Sequence, residues 1–126
     1  MKDFSITLVD RPGEMASVTN ALSLYGVNLK TVSAMKFGDQ AFLRLIPDND
    51  DSARSALQAN NIPFVENDIS IVLVENRSGE LTGIAAKLSD AGLNLEAAYV
   101  VGLSDDLIEL ALVTDNVKKA NKVLGL

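Results

Sequence analysis

Apolar and polar residues alternate from the first residues of the chain. Phe4, Ile6 and Leu8 are separated by Ser5 and Thr7, a period of two that predicts a strand with one buried face. Asp10-Arg11-Pro12-Gly13 breaks the alternation with turn-forming residues. From Glu14 onward the apolar positions Met15, Val18, Leu22 and Tyr25 recur at helical spacing, and Gly26 supplies a stop. Leu29–Phe37 reads as a second strand and Gly38-Asp39 as a tight turn, and Ala41, Leu43 and Leu45 alternate along a third strand. Pro47-Asp48-Asn49-Asp50 offers caps for a second helix whose apolar stripe is Ala53, Ala56 and Leu57. Pro63–Val65 completes the order βαββαβ as a short fourth strand.

The pattern then repeats. Shifted by 66 positions, Asp10–Leu29 and Asn76–Leu95 agree at eight of twenty positions, among them Arg11/Arg77, Gly13/Gly79, Glu14/Glu80, Gly26/Gly92 and Asn28/Asn94. Average composition gives about one match by chance. After a one-residue slip the match resumes at an offset of 67, with Leu43/Leu110, Leu45/Leu112, Asp48/Asp115, Asn49/Asn116 and Ala53/Ala120. Gly38-Asp39 against Ser104-Asp105-Asp106 is turn chemistry, where an insertion is cheap, so the slip is expected there. The second repeat carries Leu81, Ile84 and Leu88 on its first helix and Val117, Ala120 and Leu124 on its second. It has no counterpart of the fourth strand. The expected architecture is α+β: two tandem ferredoxin-like units, 1–67 and 68–126, each an antiparallel sheet with helices on one face. Small units that share a boundary with almost no linker are expected to pack together, with self-association into a homodimer.

Composition narrows the chemistry. The chain of 126 residues has no Cys and no His, which removes thiol chemistry, the usual zinc sites and triads with a His base. A net charge of −6 opposes nucleic-acid binding, and Phe42 is an isolated aromatic on the middle strands. No apolar run is long enough to span a bilayer, and the N-terminus has no signal-like stretch, so a cytoplasmic location without membrane contact is expected. No metal site and no cofactor are expected. Asp48, Asp50 and Asp51 read as a capped helix start.

Two segments carry the candidate chemistry. Val9-Asp10-Arg11-Pro12-Gly13-Glu14 and Glu75-Asn76-Arg77-Ser78-Gly79-Glu80 each precede an apolar helix, which leads into Gly26-Val27-Asn28-Leu29 or Gly92-Leu93-Asn94-Leu95. With these residues the chain resembles the ACT domain family over essentially its whole length. The resemblance implies a non-enzymatic regulatory module that binds an amino acid or similar metabolite at an interface between paired units. It implies ligand-binding roles for Asp10, Pro12, Gly13, Glu14 and Asn28, and for Asn76, Gly79, Glu80 and Asn94. Pairing through the second strands, with first helices meeting at Ala16, Ala85 and Ala86, would set each loop against the other repeat's Gly-x-Asn turn. Leu8 and Val74 stand where some amino-acid sensors of this family carry a His, which removes one ligand contact.

The residues also permit other readings. Gly13 and Gly79 satisfy a tight turn as readily as a ligand's approach, and Asp10 and Asn76 suit a turn or cap. Gly26 and Gly92 read as helix stops, and Asn28 and Asn94 can bond their own turn backbone. Arg11 and Arg77 read as solvated. Beside the sensor stand two alternatives: a regulatory subunit acting on a separate catalytic enzyme, and a small ferredoxin-like hydrolase with Arg11 in a phosphate-cradling loop.

Overall fold

The alternation at the N-terminus becomes strand β1 (Lys2–Val9), whose Phe4 and Ile6 are buried while Thr7 and Val9 are exposed. The computed structural model describes residues 1–126 and divides into two compact units, Met1–Asn67 and Asp68–Leu126. After β1 the first unit continues with α1 (Glu14–Leu24), β2 (Leu29–Phe37), β3 (Gln40–Pro47), α2 (Asp50–Ala59) and β4 (Val65–Asp68). Its sheet order is β2-β3-β1-β4, with β3 antiparallel to both β1 and β2. This is the ferredoxin-like arrangement. Phe4, Ile6, Leu43 and Leu45 of the sheet meet Val18 and Leu22 of α1 and Ala53, Ala56 and Leu57 of α2 in one core.

Two details depart from the sequence pattern. Met15 and Tyr25 are exposed, and Ala21 joins Val18 and Leu22 as the buried face of α1. The fourth strand lies at Val65–Asp68 instead of Pro63–Val65. Pro63 has no N–H to give to a ladder; the chain there serves packing, with the ring of Phe64 centred 5.6 Å from that of Phe4.

The opposite face of β1 holds a residue that the pattern did not single out. Asp3 is fully buried and accepts hydrogen bonds from Arg44 Nη1 (3.0 Å), Asn67 Nδ2 (2.9 Å) and Ser5 Oγ (3.2 Å). Three donors, one of them the paired Arg44 guanidinium, offset the cost of desolvating a carboxylate.

The second unit runs β5 (Ser70–Glu75), α3 (Glu80–Asp90), β6 (Leu95–Ser104), β7 (Leu107–Thr114) and α4 (Val117–Leu124). Its sheet has three strands in the order β5-β7-β6, the same fold without its last strand. Val72, Ile84, Leu88, Leu93, Leu112 and Ala120 form its core. Leu81, expected on the buried stripe, is exposed.

The inserted residue is not where the sequence placed it. Both hairpins turn through two residues, Gly38-Asp39 and Asp105-Asp106. The β6–β7 register instead shifts between Val100 and Gly102, where Val100 pairs with Leu110 and Gly102 with Glu109. A bulge absorbs one extra residue at the cost of a local kink, which leaves the tight turn unchanged. No helix is long and apolar enough to cross a membrane.

Candidate functional site

The strand-to-helix loops are built to one plan. Gly13 caps α1 at φ 90°, ψ −14°, and Gly79 caps α3 at φ 89°, ψ −11°. This left-handed backbone suits glycine. Neither helix has a side-chain cap. The first intrahelical bonds are donated by Ser17 N to Gly13 O and by Gly83 N to Gly79 O, both 3.0 Å. The N–H groups of Met15 and Ala16 in one unit, and of Leu81 and Thr82 in the other, therefore have no backbone acceptor. Each loop is tied to the hairpin beside it: Asp10 N donates to Asp39 O (3.0 Å) and Asn76 N to Asp106 O (2.7 Å). The result is a solvent-facing concentration of donors at the positive end of a helix dipole.

The Gly-x-Asn turns are also built alike, at the far end of α1 and α3. An 11-residue helix is about 16 Å long, so Asn28 is not brought to Asp10 within its own unit, nor Asn94 to Asn76. Asn28 N donates to Asp48 Oδ1 (3.0 Å), and Asp48 N donates back to Asn28 O (2.8 Å). Asn94 and Asp115 repeat the exchange at 3.1 and 3.3 Å. The following residues cap the second helices, with Asn49 Oδ1 accepting from Ser52 N and Asn116 Oδ1 from Lys119 N. Asp48 and Asp115 thus fix the turn backbone and leave the Asn28 and Asn94 side chains exposed. Their identity in both repeats was the available signal.

No protein-family model matches the sequence, and no curated protein sequence matches it either. Solved structures do match. The protein BT0572 from Bacteroides thetaiotaomicron superposes with a TM-score of 0.86 at 26% identity, over 98% of this chain and 85% of that one. The regulatory subunit of aspartate kinase from Thermus thermophilus gives 0.66 at 18% identity, over 98% and 89%. A structure of aspartokinase alpha and beta subunits gives 0.67 at 15% identity, over 98% and 88%. The fold is that of tandem ACT domains.

The two strand-to-helix loops share a backbone and differ in charge. In the first, Asp10 Oδ2 pairs with Lys36 Nζ at 2.9 Å, and Arg11 Nε donates to the Glu14 carboxylate. In the second, the neutral Asn76 replaces the carboxylate, and Arg77 bridges Glu75 (2.8 Å) and Glu80 (2.7 Å). The hydrogen bond that Arg77 donates to Glu80, followed by the charge of Glu75, holds the Arg77 guanidinium above its ordinary pKa. Arg11 and Arg77, read from sequence as solvated, are 69% and 68% exposed while each pairs with the glutamate in the first turn of the following helix. Pro12 and Ser78 occupy the exposed turn between arginine and glycine. No group of three acidic side chains assembles a metal site.

Proposed function

We propose that this chain is a non-catalytic regulatory module that binds an amino acid at its strand-to-helix loops. The observation that carries this reading is the loop built twice to one plan, with unpartnered helix N–H groups beside Asp10 in one unit and Asn76 in the other. Such donors and the helix dipole favour a ligand carboxylate. Asp10, Pro12, Gly13 and Glu14 form the stronger site, because Asp10 accepts a charge-assisted hydrogen bond from the ligand's ammonium. Asn76, Gly79 and Glu80 form the weaker one, and Asn28 and Asn94 offer their exposed amides as accessory contacts.

The fold shared with the regulatory subunit of aspartate kinase supports a regulatory role in amino-acid metabolism, exerted on a separate enzyme. A hydrolytic role would need Arg11 free to cradle a phosphate, whereas Glu14 holds it. Association is supported by exposed Val9, Met35, Phe37 and Phe42, which the strand register places on the helix-free face of the first sheet. A homodimer follows, and sedimentation that shows a clean monomer at high micromolar concentration removes it.

Calorimetry of the full chain against the twenty amino acids tests the site. Asp10→Ala should weaken binding about tenfold or more, since charge-assisted contacts contribute roughly 1.5–3 kcal/mol. Lys36→Ala should tighten it, by removing the cation that competes for Asp10. Affinities that neither change touches would sink the reading.

A further inference from the structure

The repeats differ most at one sheet edge. In the first unit β4 lies beside β1, and the segment leading into it sets Ile62 and Phe64 against the core. In the second unit β5 has β7 as its single neighbour in the sheet. β5 borders a groove of about 220 Å³, with Val72, Leu73, Val74, Ile84, Leu124 and Leu126 as its apolar lining and Lys87 and Glu80 as its charged residues. Glu80 is already committed to Arg77. Edge strands are usually guarded by Lys, Pro or an inward charge. Ser70–Glu75 reads Ser-Ile-Val-Leu-Val-Glu and carries no charge before its last residue, and Leu73 is 65% exposed. Unpaired backbone groups next to an apolar groove make a surface that takes up an extended strand.

Charge selects the occupant. In the first unit the incoming strand presents Glu66 to Arg54 of α2, and Asp51 pairs with the same guanidinium. The two second helices align through Ala53 and Ala120, both fully buried. Asp51 then corresponds to Lys118 and Arg54 to Asn121. Asn121 already faces β5, accepting from Ser70 Oγ at 2.7 Å. The α4 helix carries Lys118, Lys119 and Lys122 and no acidic residue. Neither these lysines nor Lys87 has a carboxylate partner. In a chain of net charge −6 α4 is a locally basic helix beside the groove, to which it contributes Leu124, while the groove's own charged lining is Lys87 and Glu80. An acidic strand complements it; a basic one is repelled.

We propose that the open β5 edge is a docking site for an extended acidic segment of a partner protein, which joins as a fourth strand. Its groove-facing side chains are apolar up to a final carboxylate on the same face that meets α4, as Ile62, Phe64 and Glu66 share one face in the first unit. This assignment does not depend on the loops binding a ligand.

The test uses the full chain and two capped synthetic strand peptides with valine at the first two groove-facing positions and, at the third, glutamate in one and lysine in the other. Amide chemical shifts are followed by NMR as each is added. The glutamate peptide should bind saturably, with shifts confined to β5, α3 and α4, while the lysine peptide should not bind. Lys118→Glu, at an exposed position, should weaken the glutamate peptide about tenfold and admit the lysine peptide. Absence of glutamate-peptide binding at millimolar concentration, equal binding of both peptides, or shifts elsewhere would overturn the proposal. So would efficient disulfide cross-linking between two copies of Leu73→Cys in this cysteine-free chain, because it assigns the edge to a second copy.

Discussion

Buried Asp3 pairs with the half-buried Arg44 in the first unit; the corresponding positions of the second hold Ile69 and Ala111, and Ala111 is fully buried. One backbone plan has thus been stabilised in two ways at the same place, by a hydrogen-bonded charge and by apolar packing. Similar divergence recurs at the loops, where Asp10 paired with Lys36 contrasts with Asn76, and at the sheet edge, where β4 has no equal. The comparison teaches that the duplicated turns and core helices fix the fold, while charge is free to diverge around them. A buried pair is weak support for stability as such, yet removing one partner is costly because the other is left desolvated.

The largest expected effect breaks that pair. Arg44→Met leaves Asp3 buried without its counter-ion and should cost about 3 kcal/mol, measured by urea denaturation. The double change Asp3→Ile with Arg44→Ala copies the second unit and should recover most of the loss. If the double variant is no better than the single one, the two units are not interchangeable solutions.

Smaller and symmetric effects are expected at the loop glycines. A Cβ at Gly13 or Gly79 meets nothing within 4 Å, so alanine adds backbone strain alone. Each substitution should cost about 1–2 kcal/mol. Equal losses in the two units would sharpen the claim that the loops share one backbone, and unequal losses would break it.

The smallest effect concerns Glu66. Its hydrogen bond from Arg54 lowers the carboxyl pKa below the ordinary value, against a smaller opposing desolvation. A carboxyl with a depressed folded pKa adds stability above its unfolded pKa, and that stability is lost as pH falls through the folded one. Glu66→Gln should therefore lower Tm at neutral pH, and the gap to the parent should close on acidification below the ordinary carboxylate range. The second unit has no equivalent strand, so a gap that persists at low pH would assign the loss to something other than this pair.

Much of this molecule is determined locally. The period of two in Phe4, Ile6 and Leu8, the helical spacing of Val18 and Leu22, and the paired turn residues Gly13/Gly79 and Asn49/Asn116 place the elements and caps, because each depends on residues within a few positions of one another. The duplication then makes two βαββα frames visible without any coordinates. Tertiary structure decided the rest. Alternation assigns Asp3 to a face of β1 but does not say that the face is covered or that Arg44 and Asn67 meet there. Turn chemistry made the hairpins look like the cheap place for an insertion, whereas the cross-strand register absorbed it as a bulge near Gly102. The backbone clamp from Asp48 to Asn28, the pairing of Lys36 with Asp10 and the open side of β5 all join residues distant in sequence. Such contacts exist only once the sheet has set its register, since it is the register that chooses which side chains face each other.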